Sequence, residues 1–111
     1  MHSPIRHEVL DFTIHVASLM RPVVTATARH DRELASQIRR ATSSFALNIA
    51  EAFGTKKGTQ RVQFENALGS LYEARAGVRL AVAWGYVAEG DTLAVVAAMD
   101  RLSGRVFGLK R

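Results

Sequence analysis

Residues 32–64 read "RELASQIRRATSSFALNIAEAFGTKKGTQRVQF". Within them Leu34, Ile38, Ala41, Phe45 and Ile49 recur at steps of four and three, the spacing of one face of an α-helix. Asp31 stands just before the run and offers a side-chain oxygen to the free N–H groups of a first turn. Glu33 places a carboxylate in that turn, at the positive end of the helix dipole. Gly54 follows the last apolar residue as the expected C′ position. The stretch therefore predicts a helix over about 32–53 and a glycine-lysine corner. A second helix follows over about 59–84, with Thr59 as its expected N-cap.

That second helix carries two apolar stripes. One is large: Phe64, Leu68, Leu71, Val78 and Val82. The other is small: Ala67, Ser70, Ala74, Gly77 and Ala81. Both step by threes and fours, so the helix can pack on two neighbours, one of them at close range. A bundle needs one stripe, which leaves the other for a neighbouring subunit. Arg75 interrupts the large stripe. Gly85 is the expected C-cap, and Trp84 beside it reads as a packing residue more readily than as a platform for bases.

Upstream, Val9, Phe12, Val16, Leu19 and Val23 predict a helix over about 7–28. Pro22 lies inside that pattern, and the stripe continues past it, which favours a kink over a break. Downstream, Val95, Met99, Leu102, Val106 and Leu109 predict a helix over about 92–107, opened by Asp91 or Thr92. Short connections make consecutive helices antiparallel. The expected fold is all-α: one domain, 1–111, an antiparallel up-down-up-down four-helix bundle.

The totals narrow the function classes. The 111 residues are 48% hydrophobic, a globular composition, and contain no cysteine, which excludes disulfides and thiolate metal sites and suits a reducing cytoplasm. No continuous apolar run of about 20 residues stands out, so no membrane partner is expected. The N-terminus carries acidic residues where a secretory signal needs an apolar stretch. Net charge is +5 and pI about 10.4. Six Arg against five Asp/Glu fall in residues 1–55, and nine Lys/Arg against five Asp/Glu in 56–111. The second half therefore holds +4 of the excess, a balance that favours polyanions.

The chemistry-bearing motifs are few. "GTKKGT", residues 54–59, has three residues between its glycines and follows a helix, so it is no P-loop, which needs four residues and a preceding strand. Lys56, Lys57 and Arg61 nonetheless cluster beside the free N–H groups of a helix start, a fair site for nucleic-acid phosphate or an acidic partner. On the preceding helix, Gln37, Ala41, Ser44, Asn48 and Glu51 share a face. Gln37, Asn48 and Glu51 read as structural polar contacts there, with Arg75 as a candidate partner. No second carboxylate or His keeps register with Glu51, and no Ser–His–Asp order occurs. His7 and His15 are about two turns apart, too far for a shared metal. No catalytic residue, metal or cofactor is expected.

Several fixed spacings carry a resemblance: Gln37-Ile38-Arg39-Arg40-Ala41, Asn48-Ile49-Ala50-Glu51-Ala52-Phe53-Gly54, Phe64, Gly69-Ser70-Leu71-Tyr72-Glu73 and Trp84-Gly85-Tyr86. In this the chain resembles the small bacterial four-helix-bundle proteins first noticed as reading frames within 23S ribosomal RNA intervening sequences. It is also similar to their relatives, the accessory proteins of diversity-generating retroelements. It departs from the pattern at Ala52, where a glycine is usual, at Thr55, where an arginine is usual, and in a longer first region containing Pro22. The resemblance implies a homo-pentamer without enzymatic activity. For the retroelement relatives it implies a basic surface that binds nucleic acid and a reverse transcriptase.

Together these features lead to an expectation. The chain is a non-enzymatic, homo-oligomeric scaffold that binds RNA, DNA or a nucleoprotein such as a reverse transcriptase. Arg39, Arg40, Lys56, Lys57, Arg61, Arg75 and Arg79 are its expected phosphate contacts. The alternative is a purely structural, protein-binding oligomer with incidental charge.

Overall fold

Asp31 does what its position requires: it sits in extended backbone and its carboxylate Oδ1 accepts the Leu34 N–H at 2.9 Å, which opens the second helix. The computed structural model describes residues 4–110, and their elements are α1 (Pro4–Ala28), α2 (Arg32–Phe53), α3 (Lys57–Ala83), a 3₁₀ turn (Glu89–Thr92) and α4 (Leu93–Leu109). Among the described residues there is no strand. Each helix packs on its chain neighbour, and α4 closes the ring on α1. The result is an all-α antiparallel four-helix bundle, 44 Å along its longest axis.

The core follows the apolar stripes. Val9, Val16, Met20 and Val23 from α1, Ile38, Phe45 and Ile49 from α2, Phe64, Leu71 and Val78 from α3, and Met99, Leu102 and Val106 from α4 are fully buried. Each such side chain contributes about 1.5–3 kcal/mol relative to exposure. Phe53 and Phe64 meet edge to face at 5.6 Å across the α2–α3 corner.

Helix α1 is unbroken through Pro22. Ser18, whose carbonyl loses its helical partner to the ring, is exposed, so solvent can satisfy it. Ile5–Ala28 is long and apolar enough to cross a membrane by length and composition, which corrects the expectation that no such segment exists. The same composition serves a bundle helix, because its stripe from Val9 to Thr27 is buried.

Two caps differ from expectation. α3 starts at Lys57, with Lys56 at the N-cap position and no side-chain cap bond. Thr59 lies inside the first turn. Gly54 closes α2 with φ −99°, ordinary backbone rather than the left-handed conformation expected of a C′ glycine. That conformation appears at Gly85, φ +79°. There the Tyr86 N–H reaches the Ala81 carbonyl at 2.8 Å and the Gly85 N–H that of Val82 at 2.9 Å, the paired bonds of a Schellman ending. Thr92 occupies the α4 N-cap position but donates its hydroxyl back to the Glu89 carbonyl.

Both stripes of α3 are consumed inside the chain, which corrects the idea that one of them is free for a second subunit. Ala67, Ala74, Gly77 and Ala81 are buried. A Cβ added to Gly77 would lie 2.6 Å from Cγ1 of Ile38. The small stripe is there to let α2 come close.

Candidate nucleic-acid interface

At the α3 start no acidic residue occupies the first turn, and the Gln60 N–H makes its bond to the Lys56 carbonyl at 2.7 Å. The N–H groups before it have no helical acceptor. The corner itself is tied down from both sides: the Ala52 carbonyl accepts from the Gln60 side-chain amide at 3.0 Å and from the Thr55 hydroxyl at 3.1 Å. Lys57, Gly58, Arg61 and Lys110 line a cavity of about 250 Å³ at this end of the bundle.

Further along α3, Arg75 binds Asp100 of α4 in a two-pronged pair, Nε to Oδ1 at 2.7 Å and Nη2 to Oδ2 at 3.3 Å. The hydrogen bond to Asp100 raises the guanidinium above its ordinary pKa. One turn on, Arg79 lines a groove of about 510 Å³ between α3 and α4, which Arg75, Glu89 and Leu93 also border. Lys57, Arg61, Arg75 and Arg79 thus lie on the α4 side of α3.

The other expected contacts do not join them. Arg39 borders a groove between α1 and α2 with Ala17 and Met20. Arg40 is exposed and lies about 100° round the helix from it. Lys56 is exposed at the corner. The seven residues therefore form one track on α3 and three separate positions.

The polar stripe of α2 behaves as expected in kind but not in partner. Asn48 donates to the carbonyl and hydroxyl of Ser44, at 2.8 and 3.2 Å, and Ser44 meets Ser70 of α3 at 2.8 Å. Glu51 accepts from the Gln63 amide at 3.1 Å. Gln37 is exposed and borders a shallow cleft with Leu80 and Trp84. Arg75 serves neither Asn48 nor Glu51, because it projects from the other side of α3 to Asp100. Among the described residues no group of three or more His, Asp or Glu side chains converges.

Three aromatics were missed or misplaced by spacing alone. Trp84 is 67% exposed rather than packed, and Tyr72 of α3 and Phe107 of α4 are 53% and 54% exposed. Tyr72 falls on the α4 side of α3 by its step from Arg75, a signal that was available in the periodicity. Beyond Gly85, Tyr86 stacks on His30 at 5.3 Å and its hydroxyl donates to Asp31 Oδ2 at 3.4 Å. Burial first, then the charge and hydrogen bond of Asp31, raise the Tyr86 phenol above its ordinary pKa.

A family model described as 23S rRNA-intervening sequence protein matches residues 7–108. The chain belongs to that family. A protein of unknown function from the S23 ribosomal protein family of Bacteroides thetaiotaomicron shares its fold, with a TM-score of 0.84 at 16% identity over 93% of this chain and 98% of that one. None of the curated proteins matches. Within the motif that suggested this family, the departure at Ala52 falls on a fully buried helical position, where alanine favours the helix more than glycine. The departure at Thr55 leaves a hydroxyl that helps close the corner.

Proposed function

We propose that this chain is a non-enzymatic, homo-oligomeric scaffold that binds nucleic acid, or a nucleoprotein such as a reverse transcriptase, through its basic surface. The oligomer is a pentamer on the analogy of the family. The observation that carries the binding reading is the α3 track. Lys57, Arg61 and Arg79 are exposed and, among the described residues, make no ion pair, whereas Arg75, Arg105 and Lys110 each have a carboxylate partner. Uncancelled cations on one side of one helix are the electrostatic footprint of a polyanion site.

Binding to RNA and duplex DNA across a salt series tests this. The expected result is a Kd of about 10⁻⁴–10⁻⁶ M or tighter that weakens steeply with salt. Flat salt dependence would sink the reading. A protein-binding oligomer is the second reading, favoured by the exposed Leu47, Leu80 and Trp84. Charge reversal at Lys57, Arg61 and Arg79 separates the two, since it abolishes polyanion binding under the first and spares a protein complex under the second.

A further inference from the structure

We propose that the α3–α4 face holds a single strand of nucleic acid, its phosphates on Lys57, Arg61 and Arg79 and its bases against Tyr72 and Phe107. This rests on the nucleic-acid reading above and adds the strand state and the face.

On α3, Lys57, Arg61, Glu65, Leu68, Tyr72, Arg75 and Arg79 step by 4, 4, 3, 4, 3 and 4, one continuous face. Opposite them on α4 run Leu93, Val96, Asp100, Ser103, Phe107 and Lys110. Two pairs fix the register of these rows, Arg75 with Asp100 at 2.7 Å and Glu65 with Lys110 at 3.7 Å. In that register Tyr72 lies opposite Ser103 and Phe107 opposite Leu68. The two rings are then about one helical turn, roughly 6 Å, apart along the bundle. Lys57 to Arg79 spans roughly 33 Å.

The two rings lie together on this track, with Lys57 and Arg61 toward one end and Arg79 toward the other. The two carboxylates within it, Glu65 and Asp100, are each held by a cation, and Glu89 borders the groove at the Arg79 end. Lys110 Nζ lies 5.0 Å from the Phe107 ring centroid, so a positive charge accompanies that ring. A duplex hides its base faces within its own stack and has nothing to offer exposed rings. A single strand offers every base face, and cations interleaved with aromatics are how such strands are gripped without sequence preference. The ring exposures, 53% for Tyr72 and 54% for Phe107, leave both available.

The test is fluorescence anisotropy with labelled oligo-U, oligo-dT and duplex DNA of equal length, each over a salt series. Tyr72→Ala and Phe107→Ala are exposed substitutions, with helicity checked by circular dichroism. The expected result is that at least one single strand binds more tightly than the duplex. Each ring variant then weakens that strand by on the order of ten-fold, while the salt slope and duplex affinity stay unchanged. If the protein binds with a salt slope but the ring variants match the wild type, or the duplex binds as well, this inference fails and the broader reading stands. If no polyanion binds, both fail.

Discussion

The two sides of α3 differ in almost every respect. Toward α2 the helix presents alanine, serine and glycine, and the backbones come close enough that Gly77 has no room for a Cβ against Ile38. Toward α4 it presents Arg75, Tyr72 and Glu65, and the contact is made by long side chains with salt bridges at their tips. The first side is a packing surface, whose contacts depend on shape and exclude water. The second is half solvated, and its charges keep the option of meeting something outside the chain. A single helix can thus hold a bundle together along one edge and offer chemistry along another.

The sharpest way to break this comparison is Gly77→Val. If the α2 side depends on close approach, urea denaturation should show a loss of about 3 kcal/mol. Combining it with Ile38→Ala should cost less than the sum of the two, because the small partner removes the clash. A loss below about 1 kcal/mol would mean that the α2 side tolerates separation after all.

The α4 side should be far more forgiving. A double-mutant cycle on Arg75 and Asp100, whose side chains are 32% and 53% exposed, should give a coupling of no more than about 1 kcal/mol, falling with added salt. A larger, salt-insensitive coupling would make this pair part of the packing and erase the contrast.

The smallest effect lies at the end of the α2 side. Tyr86 has a raised pKa in the fold, so the folded state holds the phenolic proton more tightly than the unfolded chain does. Its contribution is present below about pH 10 and is lost as pH rises through the folded value. Thermal melts should show a small decline in Tm in that window that Tyr86→Phe lacks.

Much of the packing side could be read from sequence. The α2 boundaries follow from an apolar period bracketed by Asp31 and Gly54, and both small-residue spacing and close approach were legible on α3. What spacing does not encode is ownership. Nothing local says whether Gly77 faces α2 or another molecule. The α3 start was misplaced because Thr59 is a good cap by chemistry, while the corner is closed instead by Gln60 and Thr55 reaching back to Ala52. The chemistry side was legible as a set of cations but not as a place. Spacing offers Arg75 to Asn48 and Glu51, because nothing local marks its actual partner, Asp100, 25 residues away on another helix. Arg39 and Arg40 are adjacent in sequence yet face different ways.

The polar pairs along α2 and α3 acquire a further meaning beside the small stripe. Ala67, Ala74 and Ala81 recur every seven residues, as do Ser70 and Gly77, so a helix displaced by two turns would again find small residues opposite α2. Such a surface is translationally degenerate: it specifies how near, but not where. Ser44 against Ser70 and Glu51 against Gln63 lift that degeneracy, because both contacts are satisfied only at one offset. Ser44 and Glu51 therefore carry positional information that the alanines beside them cannot.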